Sequence, residues 1–99
     1  MFVVFLRFSA GRDLAGQLMQ AHKDWLQCGF DAGVFIMAGS LEPQAGGMIL
    51  ASGITLAQLE DRISGDPFVM QDVVQAEIVE VKPSKADPRL AFLLASTGS

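Results

Sequence analysis

Hydrophobic positions along the chain switch repeatedly between a period of two and a period near 3.6, and the switches mark its elements. Phe2 to Phe8 is rich in aromatic and β-branched residues and ends at the turn signal Ser9-Ala10-Gly11, as a strand does. Phe2, Val4, Leu6 and Phe8 fall on one face, Val3 and Phe5 on the other. A strand apolar on both faces is central and covered on both sides. Next, Leu14, Leu18, Ala21, His22, Trp25 and Leu26 make one stripe at helical spacing. The helix is expected from Leu14 to Gly29, with Asp13 as N-cap and Gly29 or Gly33 as stop. Val34 to Ala38 predicts a second strand, broken by Gly39-Ser40-Leu41-Glu42-Pro43. Gly46-Gly47 then closes a long hairpin loop before a third strand, Met48 to Ala51. Thr55-Leu56-Ala57-Gln58 has the spacing of a capping box; the helix it opens is expected to bury Leu56, Leu59 and Ile63 and to stop at Ser64-Gly65. A last strand, Val73 to Lys82, ends at Pro83.

This β-α-β-β-α-β order predicts an α+β, ferredoxin-like domain with a four-stranded antiparallel sheet. Right-handed crossovers put both helices on one face and leave the other bare. With 99 residues there is room for one core only, yet 51% of the chain is apolar and 18% charged. Surplus apolar area on a small domain marks an interface. A homodimer closed sheet to sheet, a dimeric α/β barrel, is the expected assembly. The domain is assigned to residues 1–83. The tail, 84–99, carries the apolar run Leu90-Ala91-Phe92-Leu93-Leu94-Ala95, expected to add a strand or short helix to a neighbouring subunit and so to permit a higher oligomer.

The net charge of −4, with Lys and Arg scattered, argues against nucleic acid as partner. No apolar run approaches the length of a membrane span and no secretory signal is visible, so no membrane association is expected and the expected setting is cytoplasm. The lone Cys28 excludes an intramolecular disulfide and is expected to be a small buried residue.

His22 is the one histidine, and histidine alone among ordinary side chains titrates near neutrality. On an apolar helix face it is either a hydrogen-bonded core residue or, beside a groove, a proton donor and acceptor. Asp66, before Pro67, suits the N-cap of a short helical turn, and Asp31 suits a solvated loop. Ser40 reads as a loop hydroxyl, not a nucleophile elbow. Phosphate loops, dinucleotide fingerprints and metal-ligand spacings are absent, so no cofactor and no metal are expected.

Ala21-His22, Leu26, Gly33, Ala38-Gly39-Ser40-Leu41, Asp66-Pro67-Phe68 and Val81-Lys82-Pro83 together resemble the YciI-like (YCII-related) proteins over residues 1–83. A glycine usual after the Asp-Pro step is replaced near Gln71-Asp72, and an aromatic usual after the last Lys-Pro is Ser84. The resemblance implies a dimeric α/β barrel with a His–Asp pair in a pocket, here His22 and Asp66, and a small-molecule substrate contacted by Trp25, Ser40 and Phe68. Relatives of that family include lyases acting on halogenated rings, and the wider superfamily holds isomerases and cofactor-free oxygenases. The expected function is therefore acid–base chemistry of lyase or isomerase type. The alternative is a non-catalytic small-ligand-binding or oligomeric interaction module. An RNA-binding sheet needs aromatic and basic residues on the exposed face, and this face is aliphatic on an acidic chain.

Overall fold

The computed structural model describes residues 1–97, and the last two positions of the tail lie outside the described residues. Four strands, β1 (Phe2–Phe8), β2 (Phe35–Leu41), β3 (Gly46–Ala51) and β4 (Val74–Glu80), pair antiparallel in the order β2-β3-β1-β4. Helices α1 (Ala15–Asp31) and α2 (Leu56–Ser64), followed by the single turn α3 (Pro67–Met70), complete the ferredoxin-like arrangement expected from the sequence.

Register explains which side is buried. Val4 stands opposite Ile49 and Ile78, and Phe2 opposite Ala51, all on one face. Val4, Phe2, Leu6, Ile49 and Ala51 are buried there with Leu59 and Ile63 of α2 and Phe68 of α3. Burying Leu59 and Ile63 contributes about 1.5–3 kcal/mol each. The alternate residues point the other way, away from α1 and α2. Val3 pairs with Leu50 and Val79, Phe5 with Met48, and Leu50 with Met37. This open face is apolar over much of β1, β2 and β3 and extends to Val79 on β4, beyond which Glu77 and Gln75 are polar; Met37, 46% exposed, is its most accessible member among the large hydrophobics. Arg7 and Glu77 pair at its edge.

Several boundaries differ from expectation, each for a local reason. Strand β2 runs on through Gly39 and Ser40, because Gly47 and Met48 supply partners on β3; the loop shrinks to residues 42–45. Asp13 does not cap α1. The chain first makes a 3₁₀ turn, Arg12–Leu14, held by Gly11 N–H donating to Asp72 O at 2.7 Å and by the Arg12 guanidinium 4.2 Å above the Phe8 ring. Gly29 does not end α1 but lies buried inside it, where a Cβ would overlap the Phe35 ring. Gly33, at φ +75°, follows the helix in the left-handed conformation that glycine adopts freely. Cys28 is exposed, because it lies off the core-facing stripe at helical spacing. Leu56, first residue of α2, faces a groove and is 43% exposed.

The capping box is present as expected: Gln58 N–H donates to Thr55 Oγ1, and Gln58 Oε1 accepts from Thr55 N–H, both at 3.1 Å. In the tail, Asp87 caps a 3₁₀ turn, Pro88–Leu90; the backbone N–H and guanidinium of Arg89 hold its carboxyl below the usual carboxylate range. Helix α4 (Phe92–Thr97) follows, with Leu93 buried and Leu90 and Phe92 exposed.

Candidate active site

His22 sits in the middle of α1 on the stripe facing the core, one turn after Leu18 and one before Trp25. Asp66 follows Gly65, the C-cap of α2, and opens α3. One oxygen of Asp66, Oδ1, accepts from Phe68 N–H at 3.0 Å and so performs the capping expected of an Asp-Pro step. The same oxygen lies 2.8 Å from Nδ1 of His22. Residues separated by 44 positions are thus joined because α1 packs against α3.

The pairing fixes the imidazole. A carboxylate oxygen can only accept, so Nδ1 donates, and in the neutral ring Nε2 holds the lone pair. Burial divides the labour: the Asp66 side chain is 0% exposed and that of His22 is 15% exposed. Nε2 makes no hydrogen bond among the described residues. Among the described residues, Oδ2 of Asp66 is the one buried side-chain polar atom without a partner, so Nε2, which also has none, is not sealed from solvent. Capping needs only one acceptor oxygen, which Ser, Thr or Asn supplies equally well. A carboxylate adds something a cap does not use, an oxygen that cannot donate and so fixes Nδ1 of the ring as the donor.

Aromatic rings hold the imidazole in place. Phe68 stacks on it with centroids 4.1 Å apart and planes 4° from parallel, and Trp25 lies at 5.7 Å. Trp25 is anchored in turn by its Nε1–H, which donates to Arg62 O at 3.0 Å, and by an edge contact with Phe35. Of the residues expected at the site, His22, Asp66, Trp25 and Phe68 therefore form one cluster. Ser40 does not join it: it is exposed on edge strand β2 opposite Gly47, and none of the cluster's hydrogen bonds or ring contacts involves it.

The cluster lies on the helix side of the sheet, opposite the open face, and its contacts join residues of one chain. A pocket shared between two sheets, as a barrel interior suggests, is not where this pair stands. Two grooves flank the region. One of about 980 Å³ lies at the end of β1 and β4 and is lined by Ser52, Thr55, Leu56 and Lys82, without His22 or Asp66. The other, about 560 Å³, runs between α1 and α2 and has Trp25 as a wall. Its polar lining, Gln58, Asp61 and Arg62, was not singled out from the sequence; the signal was present as a polar stripe at helical spacing on α2. Among the described residues no group of three or more His, Cys, Asp or Glu side chains is placed to hold a metal ion, and no helix is long and apolar enough to cross a membrane.

Element order and register define an α+β, ferredoxin-like protein with a four-stranded antiparallel sheet. No protein-family model matches the chain. No curated protein matches it either. Among solved structures it is similar to 5-chloro-2-hydroxyhydroquinone dehydrochlorinase (TftG) from Burkholderia phenoliruptrix AC1100, in complex with 2,5-dihydroxybenzoquinone. The TM-score is 0.67 and identity 11%, over 85% of this chain and 96% of that one. At that identity the likeness is one of fold.

Proposed function

We propose that this chain is a YciI-like, cofactor-independent enzyme of lyase or isomerase type, in which His22 moves a proton and Asp66 holds its ring in one tautomer. The observation that carries this reading is the 2.8 Å contact between Nδ1 of His22 and a fully buried Asp66, with Nε2 left open to solvent. Nε2 takes a proton from a small cyclic substrate, the freed electron pair forms a new double bond, and a leaving group departs from the ring. For a chlorinated hydroquinone the net change is loss of HCl, which needs no oxidant or reductant. Asp66 keeps the imidazole in one tautomer and stabilises the imidazolium formed during the step. Residues 1–83 form the catalytic unit, and two copies pair through the open sheet face. The tail, 84–99, docks on a neighbouring subunit through the exposed Leu90 and Phe92.

The fold shared with a dehydrochlorinase supports trying that chemistry first. Purified protein is incubated with 5-chloro-2-hydroxyhydroquinone and chloride release is followed beside a His22→Ala variant. Turnover by the parent chain and a loss of about 10²-fold or more in the variant is expected. Chloride release at equal rates from both proteins removes His22 from the chemistry.

A second reading, a non-catalytic ligand-binding module, is favoured by the groove on the far side of Trp25, which does not contain His22. There His22→Ala alters stability alone.

A further inference from the structure

The groove between α1 and α2 has an uneven lining. Its apolar surfaces are Trp25 from α1, Val34 just before β2, and Ile54 before α2. Its polar side comes from α2, where Gln58, Asp61 and Arg62 recur at helical spacing, next to the stripe that buries Leu59 and Ile63. Arg62 is half-buried, and its guanidinium makes no hydrogen bond or ion pair among the described residues; its backbone carbonyl is the group that holds Trp25. Asp61 likewise has no partner for its carboxylate among the described residues, since only its carbonyl is engaged, by Ser64. Trp25, Val34 and Ile54 thus share a groove of about 560 Å³ with Arg62 and Asp61, an unused fork of donors and an unused acceptor among the described residues. That size suits a small molecule.

We infer that this groove binds a small aromatic carboxylic acid bearing a ring hydroxyl. The ring lies against the Trp25 indole, the carboxylate takes the Arg62 guanidinium, and the hydroxyl donates to Asp61. A guanidinium matches a carboxylate with two parallel hydrogen bonds, which a neutral ring cannot make. An aromatic acid is preferred over an aliphatic one because an indole face gains more from a stacked ring. Asp61 beside Arg62 selects a ligand with a donor near its anionic end, because a second anionic group there meets a like charge. The inference goes beyond the acid–base reading, because the groove contains neither His22 nor Asp66.

Trp25 is the one tryptophan of the chain, so its indole N–H gives a single assignable resonance. The full chain is titrated with 2,5-dihydroxybenzoate and, separately, with neutral hydroquinone, following that resonance and measuring affinity by calorimetry. A saturable shift is expected with the acid, with affinity about tenfold or more above that of hydroquinone. Arg62→Gln, which keeps the backbone carbonyl that holds Trp25, is expected to bring the acid down to the level of hydroquinone, with an unchanged melting temperature. Equal affinity of acid and hydroquinone for the parent chain, no saturable shift at all, or undiminished acid binding by Arg62→Gln overturns the proposal. His22→Ala separates the two readings. Binding that survives in this variant while no substrate is turned over by the parent leaves the groove standing and removes the enzyme; turnover without Arg62-dependent binding does the reverse.

Discussion

Asp66 joins a structural contact to the proposed chemistry in one side chain, and substitutions separate the two. Its Oδ1 caps α3 and meets His22, while Oδ2 is buried without a donor among the described residues. Asp66→Ala removes the cap and leaves Nδ1 of His22 unpaired, so a loss of about 2 kcal/mol or more is expected in urea denaturation. Asp66→Asn keeps an oxygen for the cap, and its stability is expected within about 1 kcal/mol of the parent. Turnover, where His22 is the base, is expected to fall steeply in both, because an amide does not stabilise the imidazolium. An Asn variant as unstable as the Ala variant would show that the charge itself holds the fold. Sequence reading could mark both residues, one by its lone ring on an apolar stripe and the other by its Asp-Pro step. It could not join them from the residues themselves, since neither carries a local sign of the other; only the family resemblance paired them.

Among the elements, α1 carries the site and two glycines that behave oppositely. Gly16 has open space around it, whereas a Cβ at Gly29 would overlap the Phe35 ring. Glycine inside a helix costs about 1 kcal/mol relative to alanine, so Gly16→Ala is expected to stabilise by a few tenths to about 1 kcal/mol. Gly29→Ala is expected to destabilise by about 1–2 kcal/mol, because overpacking exceeds the gain in propensity. Chemical denaturation of both variants checks the pair of signs; two changes of the same sign would mean that Phe35 yields easily. The glycine at position 29 looks like a stop because propensity is a local quantity, while the approach of Phe35 is not. Ser40 stands apart from the His22 cluster for a related reason. Gly39 and Ser40 carry turn composition, but partners on β3 hold them in a strand at the sheet's edge.

For the whole molecule, the two faces of the sheet have separate tasks. The covered face holds the core and borders the His22 cluster, while the open face presents Val3, Phe5, Met37, Met48, Leu50 and Val79. So much contiguous apolar surface is typical of an interface. The proposed homodimer predicts sedimentation at twice the 10.6 kDa chain mass at micromolar concentration. Leu50→Glu, in the middle of that face, is expected to give single chains. Because the His22–Asp66 contact lies within one chain on the opposite side, it is expected to persist in the separated variant. A parent protein that sediments as one chain would remove the pairing and leave the cluster untouched.

The amino-acid order by itself determined the β-α-β-β-α-β succession, the capping box at Thr55 and Gln58, the buried face of β1, the burial of Leu59 and Ile63 on α2, and an uncovered apolar face. Each of these depends on periodicity or on groups within a few residues of one another, where local sterics and hydrogen bonding dominate. Tertiary structure alone decided that Nδ1 of His22 meets Oδ1 of Asp66, that Phe68 stacks on the imidazole, that Phe35 occupies the space beside Gly29, and that α2 turns Asp61 and Arg62 toward Trp25. Those contacts join segments distant along the chain, and their distances follow from how helices settle on the sheet, a packing outcome that no single segment contains.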